Sequence, residues 1–185
     1  MTKYNLVNPC IGGSLNTQFG GRNPLDAANS TWHSISKYLT NNVPRFAFTL
    51  ENTSTGSLHH FNVNETVDSN RNASFSITEL DINLSPKATS SFKNEVHNII
   101  GKFNTNLNGG AKKRYEDKSD DDSSSSSDSD SELQNALRLL KYKSQPIVYW
   151  WYNPLVYKAV DLYVPTFVVP IAPYVHINLN SAFMG

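Results

Sequence analysis

Between residues 25 and 39 the apolar positions fall three and four apart, at Leu25, Ala28, Trp32, Ile35 and Leu39, the spacing of one helical stripe. Asn23 stands where a cap is needed, Pro24 at the first helical position and Asp26 in the first turn. Asn41-Asn42 and then Val43-Pro44 end the helix, because the residue before a proline is driven into an extended course. The period then drops to two. Phe46, Phe48 and Leu50 alternate with Arg45, Ala47, Thr49 and Glu51, which predicts a half-buried strand. Residues 52–56 are turn chemistry, and a second strand carries Phe61 and Val63 on the face of His59 and Glu65. After a turn at 68–72, a third strand starts near Ala73. Its apolar residues change face, from Phe75 and Ile77 to Leu80, Ile82 and Leu84, so a bulge is expected near Thr78. Ser85 and Pro86 open a second helix with a stripe of Phe92, Val96, Ile99, Ile100 and Phe103, closed by Gly109-Gly110.

The resulting order over residues 23–110 is α-β-β-β-α. Short turns between strands predict an α+β fold, a small antiparallel three-stranded sheet covered on one face by two helices. Residues 1–22 set Gly12-Gly13 and Gly20-Gly21 among Asn, Gln and Thr without an apolar period, and are expected to be a flexible N-terminal segment.

Beyond Gly110 the composition changes twice. Residues 111–132 pass from Lys112-Lys113-Arg114 into an unbroken Ser/Asp run, a low-complexity acidic linker expected to be disordered because nothing in it can bury apolar surface. Ser119, Ser125, Ser127 and Ser129 each have an acid three positions on, the context of an acidophilic kinase, and are candidate phosphorylation sites; the plainer reading is a solvated spacer. A short helix is expected over 133–143. Residues 144–185 then hold nine of the 21 aromatic residues and five of the nine prolines, with Lys158 and Asp161 as the only charges. Prolines at this density predict an extended arm rather than a helix or a central strand.

That arm cannot stay bare in water. One buried Trp or Tyr removes about 150–250 Å² from solvent, worth on the order of 4–6 kcal/mol gross at about 25 cal/mol per Å². Tyr149, Trp150, Trp151, Tyr152, Tyr157, Tyr163, Phe167 and Tyr174 are therefore the candidate partner-binding residues. Their cover comes from the chain's own sheet, from another molecule or from a membrane surface, and the linker before them favours the second.

Composition narrows the chemistry. The 185 residues balance 16 Lys plus Arg against 16 Asp plus Glu, room for one modest core and too little for a large multidomain enzyme. Cys10 is the only cysteine, and no basic stretch followed by an apolar run opens the chain, so the expected compartment is reducing and internal rather than secreted. The five Asn-x-Ser/Thr sequons, at Asn29, Asn52, Asn64, Asn72 and Asn83, then reflect composition. His59-His60 is the one adjacent histidine pair, and a strand points the two rings to opposite faces, so no metal is expected. Cap and surface-strand roles account for Asp26, Glu79 and Asp81; Cys10 has no local base, and the paired glycines lack the context of a phosphate loop. No enzyme activity and no cofactor are expected. The run from Leu162 to Gly185 is long enough to cross a bilayer, but Pro165, Pro170 and Pro173 break it, so no membrane span is expected.

The α-β-β-β-α order is shared with double-stranded-RNA-binding domains, and Leu58-His59-His60-Phe61-Asn62-Val63 resembles their second strand. The last helix instead opens Ser85-Pro86-Lys87-Ala88, with Lys93 the only other base nearby, and residues 1–111 carry eight bases against seven acids, far from a basic footprint. Nucleic acid is thus an unfavoured partner.

Two blocks carry a family resemblance: Asn41-Asn42-Val43-Pro44-Arg45-Phe46-Ala47-Phe48-Thr49-Leu50 with Leu58-His59-His60-Phe61, and Gln145-Pro146-Ile147-Val148-Tyr149-Trp150-Trp151-Tyr152-Asn153-Pro154 continuing to Val164-Pro165-Thr166-Phe167-Val168-Val169-Pro170. Together they resemble a family of uncharacterised proteins of giant DNA viruses of the mimivirus and phycodnavirus kind, over most of residues 23–185. The resemblance brings no catalytic residues. It implies a viral origin and a place in the virion or in the viral factory of the host cytoplasm. The function expected is that of a non-enzymatic structural or assembly protein, a minor capsid or virion-associated component. Its arm would dock on capsid proteins or other copies of itself. The alternative is a nucleic-acid-binding or regulatory module.

Overall fold

A computed structural model describes residues 1–40, 43–70, 72–108, 146–158, 165–168 and 171–179. The acidic linker with Ser119, Ser125, Ser127 and Ser129, the expected helix at 133–143 and Tyr163 lie outside the described residues.

The sheet is larger than the sequence pattern predicts. Strands β1 (Thr2–Asn8), β3 (Gln18–Gly21), β4 (Arg45–Asn52), β5 (Leu58–Val67) and β6 (Ala73–Leu80) form one antiparallel sheet in the order β3-β1-β4-β5-β6. A second sheet joins β2 (Cys10–Gly12), β7 (Tyr149–Tyr152) and β8 (Tyr174–Ile177), with β7 antiparallel to β2 and parallel to β8. The helices are α1 (Pro24–Ile35) and α2 (Pro86–Asn108). The small three-stranded sheet and the α-β-β-β-α order are thereby corrected: three strands precede α1, and the topological premise of the RNA-binding resemblance goes with them.

The first 21 residues are the origin of the difference. Tyr4 and Leu6 alternate with Lys3 and Asn5, and both apolar side chains are buried. Leu6 lies opposite Leu50, and the register slips by one residue before Asn8 meets Thr49. This short alternation among Asn and Gly is what a flexible segment would also show, yet it supplies β1 and leads into β2. Gly13 and Gly21 mark close approaches. A Cβ on Gly21 would come within 2.7 Å of the Asn23 carbonyl and the Ala27 amide, so glycine lets β3 abut α1. Gly13, at φ +146°, lies where a Cβ would meet the Pro146 carbonyl.

β4 is the centre of the fold, and it is buried on both faces rather than one. Phe46, Ala47, Phe48, Thr49 and Leu50 are all inside. Phe46 meets Trp32 of α1 at 5.8 Å between ring centroids, Tyr152 at 5.4 Å and Trp150 at 6.2 Å. α1 opens as its sequence predicts, with the Asn23 carboxamide oxygen accepting from the Asp26 amide at 2.8 Å, and it buries Ala28, Trp32 and Ile35, but it ends at Ile35, before Leu39, and leaves Leu25 exposed. The expected bulge near Thr78 is absent, because β6 pairs with β5 in continuous register from His60–Leu80 to Val67–Ala73. Ile82 and Leu84 follow the strand and pack against the core from the loop.

Candidate functional site

Most of the rings expected to seek a partner are inside their own chain. Tyr149, Trp150, Trp151, Tyr152 and Tyr157 are buried, and Trp150 has no exposed surface at all. Trp151 packs on Phe92 of α2 at 6.3 Å, Tyr149 stacks on Tyr174 at 5.9 Å, and Phe167 meets Trp150 edge-on at 5.2 Å. Phe167 and Tyr174 are half-buried. Residues 165–168 are fastened to the stretch that follows α1, where the Thr40 amide donates to the Thr166 carbonyl and the Val168 amide to the Tyr38 carbonyl, each at 2.9 Å. The partner-binding role expected of the five buried rings is corrected accordingly. The apolar surface that demanded cover receives it from the sheet and α2, and a buried ring has no face left for another molecule.

Beneath this segment runs a chain of buried polar groups that sequence reading did not bring together. The Asn153 amide donates to the Asn8 carboxamide oxygen at 3.0 Å, which fixes the amide's orientation; the Asn8 Nδ2 group then donates to the Asn153 carbonyl at 2.9 Å and to the Tyr157 hydroxyl at 2.8 Å. That hydroxyl lies 2.9 Å from Thr49 Oγ1 and donates to the Asn8 carbonyl at 3.4 Å. Thr49 Oγ1 in turn shares a hydrogen bond of 2.8 Å with His60 Nδ1. Burial drives the His60 pKa down to about 4, helped by neighbouring His59 and opposed by Glu79. Burial also holds the Tyr152 and Tyr157 hydroxyls well above their ordinary values, so both stay protonated.

A hydroxyl beside an imidazole is the pairing of a nucleophile and its base. Here Thr49 is fully buried and lines none of the three clefts described next, while His60 at the end of the chain of bonds lines the third. The arrangement ties β1, β4, β5 and the C-terminal segment together. Among the described residues Trp150 Nε1 and Asn153 Nδ2 are buried without a hydrogen-bond partner.

Several clefts reach the surface, three of them lined by residues described above. The first, about 510 Å³, lies between α2, which lends it Phe92, Val96 and His97, and the strands β1, β4 and β5, with Gln18 and Glu51 also in its lining. Lys93 is held there by Glu51 at 2.9 Å and by the Gly56 carbonyl, so its charge is already matched. A second, about 200 Å³, separates α2 from the second sheet. There burial raises the Glu95 pKa while the Asn178 carboxamide donates to it at 2.7 Å. The third, about 470 Å³, follows the β5–β6 ladder past His59, bonded to Glu79 at 2.8 Å, and Asp81. Among the described residues no three His, Cys, Asp or Glu side chains converge as metal ligands. No helix among them is long and apolar enough to cross a membrane.

The two edges of the large sheet differ. β3 has four residues, whereas β6 has eight, and no other strand among the described residues pairs with its outer side. Phe75 on β6 is 47% exposed, although Trp32 meets one edge of its ring at 6.3 Å.

The chain is similar to an uncharacterised protein of Acanthamoeba polyphaga mimivirus, 28% identical over 188 residues that cover 96% of this chain and 94% of the relative. No family model matches the chain, and no solved structure does. The likeness to giant-virus proteins expected from the two sequence blocks thus has a counterpart over most of the chain.

Proposed function

We propose that the chain is a non-enzymatic structural or assembly protein of a giant DNA virus, carried in or on the particle. The observation that supports this reading is the contrast between its interior and its edge. Thr49 and Tyr157 are buried in a joint between strands, with His60 at its end bordering the third cleft, while an eight-residue strand presents its outer backbone groups to a neighbour. A closely tied interior and an open strand edge suit a building block whose work is contact rather than turnover. The full-length giant-virus relative supplies the viral setting. The aromatic C-terminal segment serves this role from within, by closing the block. Quantitative mass spectrometry of purified particles of the encoding virus tests the proposal. Recovery at the level of other particle proteins is expected, and consistent absence overturns it.

A further inference from the structure

We propose that β6 is a self-pairing edge, through which two copies of this chain join into one continuous antiparallel sheet. The proposal deepens the structural role above by naming the partner, and rests on it for its biological setting. Natural proteins guard long strand edges with lysines, prolines or bulges. β6 has none of these: its sequence, Ala-Ser-Phe-Ser-Ile-Thr-Glu-Leu, runs without a register shift, and its single charge, Glu79, is already held by His59 at 2.8 Å. An identical strand therefore meets no unscreened like charge.

The residue order also suits a two-fold axis. Placing the axis at Ser76 sets Phe75 of each copy against Ile77 of the other, Ser74 against Thr78, and Ala73 against Glu79. Because every partner then differs by an even number of positions, the two rows stay on their own faces across the junction. One row continues the apolar line that begins with buried Val63, opposite Ile77 in the β5–β6 ladder, and it covers the exposed part of Phe75. The other row places hydroxyls opposite hydroxyls, a favourable cross-strand pairing. Axes at Phe75 or Ile77 are less suitable: the first leaves Ile77 against Ala73, and the second puts Glu79 against Phe75.

Sedimentation of the full chain over a dilution series tests this, with two variants at the exposed Ser76. The wild type is expected to dimerise. Ser76→Lys puts like charges together on the axis and should weaken the dimer roughly tenfold or more while leaving the circular dichroism spectrum of the folded chain unchanged. Ser76→Cys should cross-link under oxidation, since paired Cα atoms on neighbouring strands lie within disulfide reach, whereas Ser54→Cys in the exposed β4–β5 turn should not. A wild type that stays monomeric at every concentration overturns the inference and leaves the edge to a strand of another protein. A dimer that ignores Ser76→Lys and gives no Ser76→Cys cross-link also overturns it, because the contact then lies elsewhere. Neither result depends on whether the chain is found in particles, so failure of the self-pairing and failure of the structural role are separate outcomes.

Discussion

Thr49 and Tyr157 stand 108 residues apart in the chain and share a hydrogen bond of 2.9 Å inside the protein. The bond ties the central strand of the large sheet to the turn that follows β7, and Asn8 and His60 extend it to two further strands. Tyr157→Phe keeps the ring and removes the hydroxyl, so Thr49 and the Asn8 amide each lose a buried partner. Leaving such groups unsatisfied costs about 1–3 kcal/mol apiece. We expect a loss of roughly that size, read as a lower urea midpoint at unchanged slope.

The same joint makes stability depend on pH. His60 takes up a proton near 6.5 in the unfolded chain but only near 4 when folded. Above 6.5 neither state is charged at this ring, and it contributes no pH dependence. As pH falls from 6.5 towards 4 the unfolded state gains a proton that the folded state refuses, so stability falls with pH across that window, by about 3 kcal/mol in all. Urea titrations at several pH values should show this slope, and His60→Gln should flatten it. A slope unchanged in the variant would mean that another group sets it.

What the sequence disclosed of this joint was partial. Helix α1 with its Asn23 cap, and strands β4 and β5, follow from local periodicity and turn chemistry, because capping and alternation are decided within a few residues. Thr49 was legible only as a polar position opposite Phe48 and Leu50, and that alternation suggested solvent. Its partner Tyr157 comes from a segment whose prolines pointed away from regular structure. Two facts separate such a ring from a docking anchor: which surface lies across from it, and whether a β4 buried on both faces needs a second layer. Both are long-range facts. The N-terminal strands were missed for a related reason, since β1, β2 and β3 hold seven, three and four residues, too few to display a period among glycines and asparagines.

Removing the rings should therefore destabilise the fold rather than free it from a partner. Trp150 and Trp151 are essentially fully buried, the first against Phe46 and Phe167 and the second against Phe92. Trp150→Ala or Trp151→Ala should each cost about 3–5 kcal/mol, the usual range for a large aromatic side chain cut back in a core. Truncation before residue 145 should abolish cooperative unfolding of the remainder, because it removes β7 and β8 and bares Phe46. Val175→Ala, at a partly exposed site on β8, serves as the control and should change little. Calorimetry of the four proteins decides the matter. A truncated chain that melts with an undiminished transition would show that the segment is an appendage.

Cys10 offers a local readout of the same closure. It sits on β2 directly opposite Trp151, is buried, and has its thiol pKa pushed up by burial to about 12. A thiol attacks as the thiolate, so two barriers protect it in the folded protein: little ionisation at neutral pH and no access for a reagent. Native Cys10 should resist a disulfide-exchange reagent until β2 and β7 part, and its slow labelling rate should then report the free energy of that opening. Trp151→Ala thins the cover on the opposite strand and should speed labelling by orders of magnitude under conditions where the rest of the chain is still folded. Labelling of the native chain as fast as that of an unfolded peptide would mean that β2 and β7 are not joined in solution.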